Sequence, residues 1–431
     1  MKYQPVPAIT ALVGVASFAA VSGRETGAYV YVPTEWRYGA NTKITANITV
    51  GTGAVKPDIE VVMDTGSTGF WLWEAGAVVN WGSEFLFTPG PCNQTVPLSI
   101  SYNISESPSG VLTDRSSQFG YSGSKLLNGQ HFANDTLVFQ GGNTTANVQF
   151  SLINYMSDRT RIQNGVCDGI TYDESILGLA PGSPFRANLY ETGKTASRIM
   201  SMWIDKYTGP LGTLTGGMLF GALDKSKYTA PLVRVQNYQQ AAFYVPRPRV
   251  SFNGVETPVA YNGSCLIDTG THSDTIPIAS FSAEETSFYN TSNGLLLMDE
   301  GGVAYNGSCD SIPLDLHMDY TFDAVAPGEY ITISVPLRNY ARGAHTDTAN
   351  VCPLVLYTGG NTVDSCTFGA PFFTAAFAAF DEADNSIYLA KGAVSKPGSG
   401  VDFDRLKVFG VGDTITTTPS KMADFFFHLP K

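Results

Sequence analysis

The sequence has little charge, and this shortage excludes several classes of protein. Charged residues make up 15% of the 431-residue chain, and the net charge at pH 7 is −12. An acidic chain is repelled by phosphate backbones and by anionic membrane surfaces. We therefore expect no nucleic acid among the partners of this protein.

Metal, thiol and nucleophile motifs are also missing. The five histidines are scattered, and none of the six cysteines has a Cys-x-x-Cys spacing. A zinc or redox-dithiol site is therefore unsupported, and we expect no metal and no cofactor. No Gly-x-Ser-x-Gly motif occurs, and no histidine stands in a context typical of a hydrolase triad. The Gly-x-Gly at Gly51 and Gly53 lacks the further residues of either phosphate-binding motif.

Long apolar runs are absent, except for one short run at the N-terminus. After Lys2, an apolar run covers about 8–20 and ends in small residues, which is typical of a secretory signal peptide over 1–23. The run is shorter than the ~20 residues of a membrane span. Eight Asn-x-Ser/Thr glycosylation motifs also favour the secretory route, so we expect a secreted glycoprotein with no membrane span. These motifs begin at Asn47, Asn93, Asn103, Asn134, Asn143, Asn262, Asn290 and Asn306.

Glycines and aromatic residues are abundant. The chain has 44 glycines, and aromatic residues make up 12% of it, which favours an all-β protein built from strands and turns. Its length allows two or three domains, or one body with two lobes. The cysteines are even in number and should pair in an oxidising compartment, but six of them allow 15 connectivities.

Two similar acidic turns organise the chain. Each follows an apolar run of strand type, and the first turn leads into an aromatic stretch that contains Trp71. A single Asp-Thr-Gly would fit an ordinary structural turn equally well. A second copy favours a shared function. The turns consist of Asp64, Thr65, Gly66 and Ser67 in the first half, and of Asp268, Thr269, Gly270 and Thr271 in the second.

The halves also match beyond these turns. An apolar strand ends at Gly178, 114 residues after Asp64, and another ends at Gly369, 101 residues after Asp268. An internal duplication explains these similar intervals. We predict an N-terminal lobe over 24–236, a C-terminal lobe over 237–400 and a short tail over 401–431.

Several local patterns lie between the two acidic turns. Residues 120–124 are typical of a hairpin tip, and Asn128-Gly129 predicts another turn before a strand over 135–139. The pattern over 197–204 fits a helix or a strand.

Two carboxyl groups on facing loops could share one proton, because both cannot ionise comfortably at close range. One would then deprotonate a water molecule while the other hydrogen-bonds a substrate carbonyl. The hydroxyls of Ser67 and Thr271 could bond the outer carboxylate oxygens, and those of Thr65 and Thr269 could link the loops. Each hydroxyl could equally satisfy only its own turn. A glycosidase pair is an alternative, although it does not require two matching turns.

The chain resembles the pepsin-like (A1-type) aspartic peptidases, especially their secreted fungal members. The resemblance runs from about residue 48 to residue 391 and rests on several motifs. These are the two Asp-Thr-Gly turns, Trp71, Pro277, the apolar-apolar-Gly segments at 176–178 and 367–369, the segment 220–224 with Tyr228, and the hairpin 121–137.

The resemblance implies a bilobal fold of two β-barrel-like lobes with a cleft for an extended peptide. Tyr121 would be the tyrosine of a flap over the substrate, with Trp71 as its hydrogen-bonding neighbour, and Tyr102 is a rival for the flap role. The tip would be formed by Ser122, Gly123 and Ser124. The family's C-terminal disulfide would join Cys309 to Cys352, and we assign the remaining cysteines as Cys92–Cys167 and Cys265–Cys366.

One departure from the family lies beside the second turn. His272, Ser273 and Asp274 stand where the family usually has apolar residues, so a polar or acidic group is expected behind Asp268. Such a group could shift the working pH or weaken catalysis.

The resemblance predicts a secreted, monomeric aspartic endopeptidase that cleaves peptide bonds at acid pH. A water molecule activated between Asp64 and Asp268 would carry out the hydrolysis. The alternative is a catalytically weak or inactive protein of the same fold that serves in binding or inhibition. Intact aspartates and flap residues favour the enzyme, because binding alone gives no reason to keep a matched pair.

Overall fold

A computed structural model describes most of residues 28–417. The described ranges are 28–37, 43–53, 58–82, 90–121, 125–139, 144–158, 167, 174–207, 212–257, 263–299, 302–341, 350–359 and 366–417. Strands make up 53% of the structure and helices 10%, which confirms the predicted all-β class.

The first half of the chain contributes fifteen strands within these described ranges. They are β1 (Val30–Arg37), β2 (Ile44–Val50), β3 (Asp58–Asp64), β4 (Phe70–Trp81), β5 (Cys92–Thr95), β6 (Ser101–Tyr102), β7 (Val111–Thr113), β8 (Ser117–Tyr121), β9 (Lys125–Phe139), β10 (Thr144–Asp158), β11 (Ser175–Gly178), β12 (Ile199–Ile204), β13 (Thr213–Phe220), β14 (Ala222–Asp224) and β15 (Thr229–Gln236).

The second half contributes fifteen more in its described part. They are β16 (Tyr244–Pro246), β17 (Arg249–Phe252), β18 (Val255–Thr257), β19 (Ser264–Ile267), β20 (Asp274–Ala279), β21 (Leu296–Asp299), β22 (Gly302–Tyr305), β23 (His317–Asp323), β24 (Tyr330–Pro336), β25 (Cys352–Pro353), β26 (Leu356–Gly359), β27 (Cys366–Phe368), β28 (Ala376–Asp381), β29 (Ser386–Lys391) and β30 (Leu406–Val408).

In the described part of the chain, three short α-helices accompany the strands, namely α1 (Pro184–Glu191), α2 (Ala283–Thr291) and α3 (Ala370–Phe373). The sequence carries starting signals for two of them. Ser183 caps α1 ahead of a proline, and the Ser282 hydroxyl accepts a hydrogen bond from the Glu285 amide at 3.1 Å to cap α2. Both are standard helix N-termini.

The two lobes repeat the same strand arrangement around their acidic turns. In the first lobe, β11 pairs parallel with β3 and antiparallel with β4, and β10 pairs parallel with β4. In the second, β27 pairs parallel with β19 and antiparallel with β20, and β26 pairs parallel with β20. Each turn therefore leaves one strand and enters another with a third strand packed between them.

A continuous run of strands joins the two halves of the chain. Its order is β15-β29-β28-β12-β13-β1, with β12 and β28 as the antiparallel pair where the halves meet. Strand β1 pairs with β13 over eight positions and then with β2, which carries the sheet into the first lobe. Of the segment 197–204, ambiguous in the sequence, residues 199–204 form strand β12 in this sheet.

Asn128-Gly129 lies within β9, so the predicted turn there is wrong. Strand β9 runs unbroken from Lys125 to Phe139 and pairs with both β8 and β10. Pairing on both sides outweighs the local turn preference of the dipeptide. The glycine is still required, because a Cβ at Gly129 would lie 2.5 Å from the carbonyl oxygen of Leu152.

Three disulfides join strands or loops within a lobe. They are Cys92–Cys167, Cys265–Cys366 and Cys309–Cys352. Cys265 and Cys366 are direct neighbours on β19 and β27, so this bond fastens the strand that leads into the second acidic turn to the strand that supports the turn.

Candidate active site

Each acidic turn begins where a buried strand ends, and the backbone of the neighbouring strand holds it. The Leu179 amide donates to the carbonyl oxygen of Asp64 at 2.6 Å, and the Asp268 amide donates to that of Phe368 at 2.9 Å. One further bond holds the end of each turn. The Ala180 amide donates to the carbonyl oxygen of Ser67, and the Ala370 amide donates to that of Thr271, both at 2.9 Å. The apolar-apolar-Gly segments therefore serve as backbone supports for the two aspartates.

The threonines of the two turns bond each other across the lobes. The Thr65 amide donates to the Thr269 hydroxyl at 3.0 Å, and the Thr269 amide donates to the Thr65 hydroxyl at 3.0 Å. Each hydroxyl also donates to a carbonyl oxygen of the opposite lobe, that of Ile267 for Thr65 and that of Met63 for Thr269. Both threonines are fully buried, so these bonds fix the turns relative to each other.

The two carboxyl groups have matching hydrogen bonds. Asp64 accepts from the Gly66 amide at 2.8 Å and from the Ser67 hydroxyl at 2.5 Å. Asp268 accepts from the Gly270 amide at 2.9 Å and from the Thr271 hydroxyl at 2.5 Å.

The glycines allow the carboxyl groups to approach the opposite loop. A Cβ at Gly66 would lie 2.5 Å from the Asp268 carboxyl carbon, and a Cβ at Gly270 would lie 2.6 Å from a carboxyl oxygen of Asp64. Such separations are not tolerated between real atoms, so any side chain at either glycine would displace the aspartate opposite. The third residue of each Asp-Thr-Gly turn is therefore required by this close approach.

Burial and the facing carboxyl group both act on Asp64. Asp64 is only 5% exposed. Burial, followed by the charge of Asp268, raises the pKa of Asp64 far above its ordinary value, although hydrogen bonds from Ser67 and Gly66 oppose the rise. The pair therefore holds a proton in a pH range where an isolated aspartate has lost it.

The β8–β9 hairpin covers the first acidic turn. The indole nitrogen of Trp71 donates to the Tyr121 hydroxyl at 2.9 Å, and Trp71 is buried. Tyr121 also lies beside Phe119, with ring centroids 6.4 Å apart. A Cβ at Gly69 would lie 2.7 Å from the Phe119 ring, so this ring rests on the backbone of the turn. Phe119 is a contact that the sequence motifs did not reveal.

The predicted flap tip, Ser122, Gly123 and Ser124, lies outside the described residues. Tyr102, the rival for the flap role, is buried in the core of the first lobe. Its hydroxyl donates to Asp135 at 2.6 Å. Tyr121 is therefore the tyrosine that meets Trp71.

An acidic side chain lies behind the second turn, as the sequence indicated. Asp274 is fully buried, and its carboxyl group accepts from the Tyr340 hydroxyl and from the Gly369 amide, both at 2.7 Å. Burial raises the pKa of Asp274 to about 8, against the effect of these hydrogen bonds.

A buried arginine behind the first turn was not identified from the sequence. The Arg186 guanidinium donates to the carbonyl oxygen of Leu179 at 3.0 Å and pairs with Glu382 at 3.1 Å. Leu179 is the residue whose amide holds Asp64. Arg186 lies on α1 and Glu382 follows β28, so this pair ties the support of Asp64 to the strands shared between the lobes.

Within the described residues, no cluster of histidine, cysteine, aspartate or glutamate could hold a metal ion. In the same part of the chain, no helix is long and apolar enough to cross a membrane.

Two lobes that each supply one Asp-Thr-Gly turn, locked by reciprocal threonine bonds beneath a hairpin, define the class of pepsin-like aspartic peptidases. A family model described as eukaryotic aspartyl protease matches residues 44–392. The chain therefore belongs to the eukaryotic aspartyl protease family, whose members are aspartic-type endopeptidases.

Curated relatives of this chain are fungal. It is 27% identical over 368 residues to the probable aspartic-type endopeptidase opsB of Aspergillus oryzae, covering 80% of this chain and 67% of that protein. It is 25% identical over 308 residues to candidapepsin-2 of Candida parapsilosis, covering 71% of this chain and 65% of that protein. Secreted aspartic protease 8 of Candida albicans is 25% identical over 354 residues, covering 80% of this chain and 75% of that protein.

Proposed function

We propose that this protein is a secreted endopeptidase that hydrolyses peptide bonds at acid pH, with Asp64 and Asp268 as its catalytic residues. The observation that carries the proposal is the reciprocal lock between Thr65 and Thr269, which holds both carboxyl groups against the opposite loop. Preorganisation of this kind contributes to catalysis when both carboxyl groups act on the same peptide bond.

The two carboxyl groups share one proton, as is established for aspartic proteases as a class. Burial of Asp64 and the charge of the facing carboxyl group raise the pKa of Asp64, which favours one proton on the pair. One ionised carboxyl group of the pair removes a proton from a water molecule, whose oxygen attacks the peptide carbonyl, while the other, protonated carboxyl group hydrogen-bonds the carbonyl oxygen. The tetrahedral diol collapses as the C–N bond breaks, and the leaving nitrogen takes up a proton from the pair.

The substrate is an extended peptide that lies in the cleft beneath the β8–β9 hairpin. Tyr121, held by Trp71, closes over it, and we include Ser122, Gly123 and Ser124 among the residues that bind it. The boundary between the lobes falls at 236/237, after β15, and the enzyme works as a monomer. The predicted signal segment 1–23 directs secretion, in keeping with relatives that are named as secreted proteases.

Cleavage of an unstructured protein between about pH 3 and 6, with and without pepstatin, tests the function. We expect pepstatin-sensitive cleavage by the wild type, and a loss of about 10³-fold or more in kcat for Asp64→Asn and for Asp268→Asn. Both substitutions keep the shape of the side chain, so we expect the fold to be unchanged. A melting curve of each variant checks this. Undiminished cleavage by either variant would overturn the assignment, and a folded wild type without activity would favour the binding or inhibitor alternative.

A further inference from the structure

Asp274 occupies a position where the other lobe has an apolar side chain. It lies six residues after Asp268 and begins β20, just as Phe70 lies six residues after Asp64 and begins β4. Phe70 packs in the aromatic core of its lobe, with its ring centroid 5.3 Å from that of Phe150. The second lobe therefore buries a carboxyl group where the first buries a phenyl ring.

One oxygen of Asp274 holds the backbone that supports Asp268. It accepts from the Gly369 amide at 2.7 Å. Phe368, the residue before, accepts the hydrogen bond of the Asp268 amide, and Ala370, the residue after, donates to Thr271. The Phe372 amide also bonds Asp274. The carboxyl group therefore fixes the middle of a three-residue segment whose two ends hold the second turn.

The other oxygen accepts from Tyr340, whose hydroxyl is in turn bonded to Tyr320. Tyr340 bonds Asp274 at 2.7 Å and Tyr320 at 2.9 Å between hydroxyl oxygens, and both rings are fully buried. A protonated Asp274 can donate its own proton along this chain of hydroxyls, because each hydroxyl can donate or accept. An ionised Asp274 would be a buried charge compensated by hydrogen bonds alone and not by a cation, which is costly.

No cation faces this carboxyl group among the described residues. The packed elements β26, β27 and α3 carry no charged side chain. The 3₁₀ turn that carries Tyr340 includes Arg338, which reaches Asp310 at 3.7 Å instead. β23 carries Asp319, whose charge helps to raise the pKa of Tyr320. His272 is exposed. Burial, opposed only by hydrogen bonds, raises the pKa of Asp274 to about 8.

We propose that Asp274 is a positioning residue for Asp268, that it acts as a neutral, protonated acid, and that its ionisation limits the enzyme on the alkaline side. The inference rests on the proposed function, because it assigns Asp268 a catalytic role. It differs from the shared proton of the aspartate pair, since Asp274 does not reach the substrate. The departure at 272–274 therefore adds a second proton-dependent element to the site.

Three proteins test this inference: the wild type, Asp274→Asn and Asp274→Ala. Asparagine cannot ionise but can still accept from Gly369 and bond Tyr340, whereas alanine can do neither. We expect Asp274→Ala to lose about tenfold or more in kcat at pH 4 with KM changed less than about threefold. Asp274→Asn should restore most of that kcat and extend activity towards neutral pH.

Thermal unfolding supplies a readout that needs no activity. A folded-state pKa above the unfolded value means that the native protein binds an extra proton, so stability falls as pH rises from about 4 to about 8. Asp274→Asn lacks this contribution, so its melting temperature should fall less steeply than that of the wild type over the same range. The matched control is Asp205→Asn, which alters a buried aspartate that accepts hydrogen bonds from the hydroxyls of Thr215 and Ser395 and should leave kcat unchanged.

Two outcomes would overturn the inference. One is a wild type that cleaves with pepstatin sensitivity while Asp274→Ala, folded, keeps its kcat within about threefold. The other is a pH dependence of melting and activity in Asp274→Asn that superimposes on the wild type. A wild type without any pepstatin-sensitive cleavage would instead refute the proposed function, and with it the positioning role.

Discussion

Replacing Thr269 by valine tests how far the lock between the turns sets both stability and activity. Valine keeps the shape of threonine but removes a hydroxyl that accepts from the Thr65 amide at 3.0 Å and donates to the carbonyl oxygen of Met63. The site is fully buried, so water cannot replace either bond. The Thr65 amide and the Met63 carbonyl are then both left without these partners.

The expected cost follows from these two groups. An unsatisfied buried donor or acceptor costs about 1–3 kcal/mol, so Thr269→Val should destabilise the protein by about 2–5 kcal/mol. For a body of this size this corresponds to a fall of roughly 3–6 °C in melting temperature. Because the lost bonds also set the position of Asp268 against Asp64, we expect kcat to fall by about 10²-fold.

Two further variants make this prediction specific. Thr269→Ser keeps the hydroxyl and should recover most of the stability and most of the kcat. Thr332→Val removes one hydroxyl from a half-exposed threonine pair, Thr321 and Thr332, whose oxygens are 2.8 Å apart on β23 and β24. That control should cost less than about 1 kcal/mol and leave kcat unchanged. A Thr269→Val protein that melts within about 2 °C of the wild type and keeps its kcat would refute the reasoning.

Two other substitutions probe the supports of the first turn. Trp71→Phe removes the bond to the Tyr121 hydroxyl and should lower kcat/KM, measured by steady-state kinetics, by about tenfold. Tyr121→Phe removes the same bond and should show the same loss, and the variant with both substitutions should lose no more than either single variant. Arg186→Met leaves Glu382 without its buried partner and should destabilise the protein by about 3–5 kcal/mol in urea unfolding. The control is Arg198→Met, because the Arg198 side chain is 40% exposed and lies 3.5 Å from the same carboxylate, and it should cost less than about 1 kcal/mol. Equal costs for the two variants would contradict the role of Arg186.

The acidic turns were predictable because their chemistry is local and occurs twice. Asp64 and Asp268 stand in tetrapeptides whose glycine and hydroxyl residues each have a part in the site, so the pattern carries its own explanation. The two apolar-apolar-Gly segments at 176–178 and 367–369 were identified from their resemblance to the family, and the structure gives them a function as backbone supports.

Other features depend on contacts between residues far apart in the chain. Asn128-Gly129 has the local preference of a turn, yet pairing of β9 on both sides keeps it extended. Arg186 carries no motif, because its partners Leu179 and Glu382 are defined only by the fold. For Asp274, the sequence indicated the unusual polarity, but only the structure shows the tyrosines that surround it.

The strand order between the lobes has a consequence for how the active protein arises during synthesis. Strands β28 and β29 come late in the chain, yet they pair beside β12 beneath the first lobe. Thr65 and Thr269, which lock the turns, are 204 positions apart. Contacts between residues so far apart in the sequence make folding slower. A growing chain therefore has no complete pair of acidic turns until its second half has emerged, which separates the time of synthesis from the onset of proteolysis.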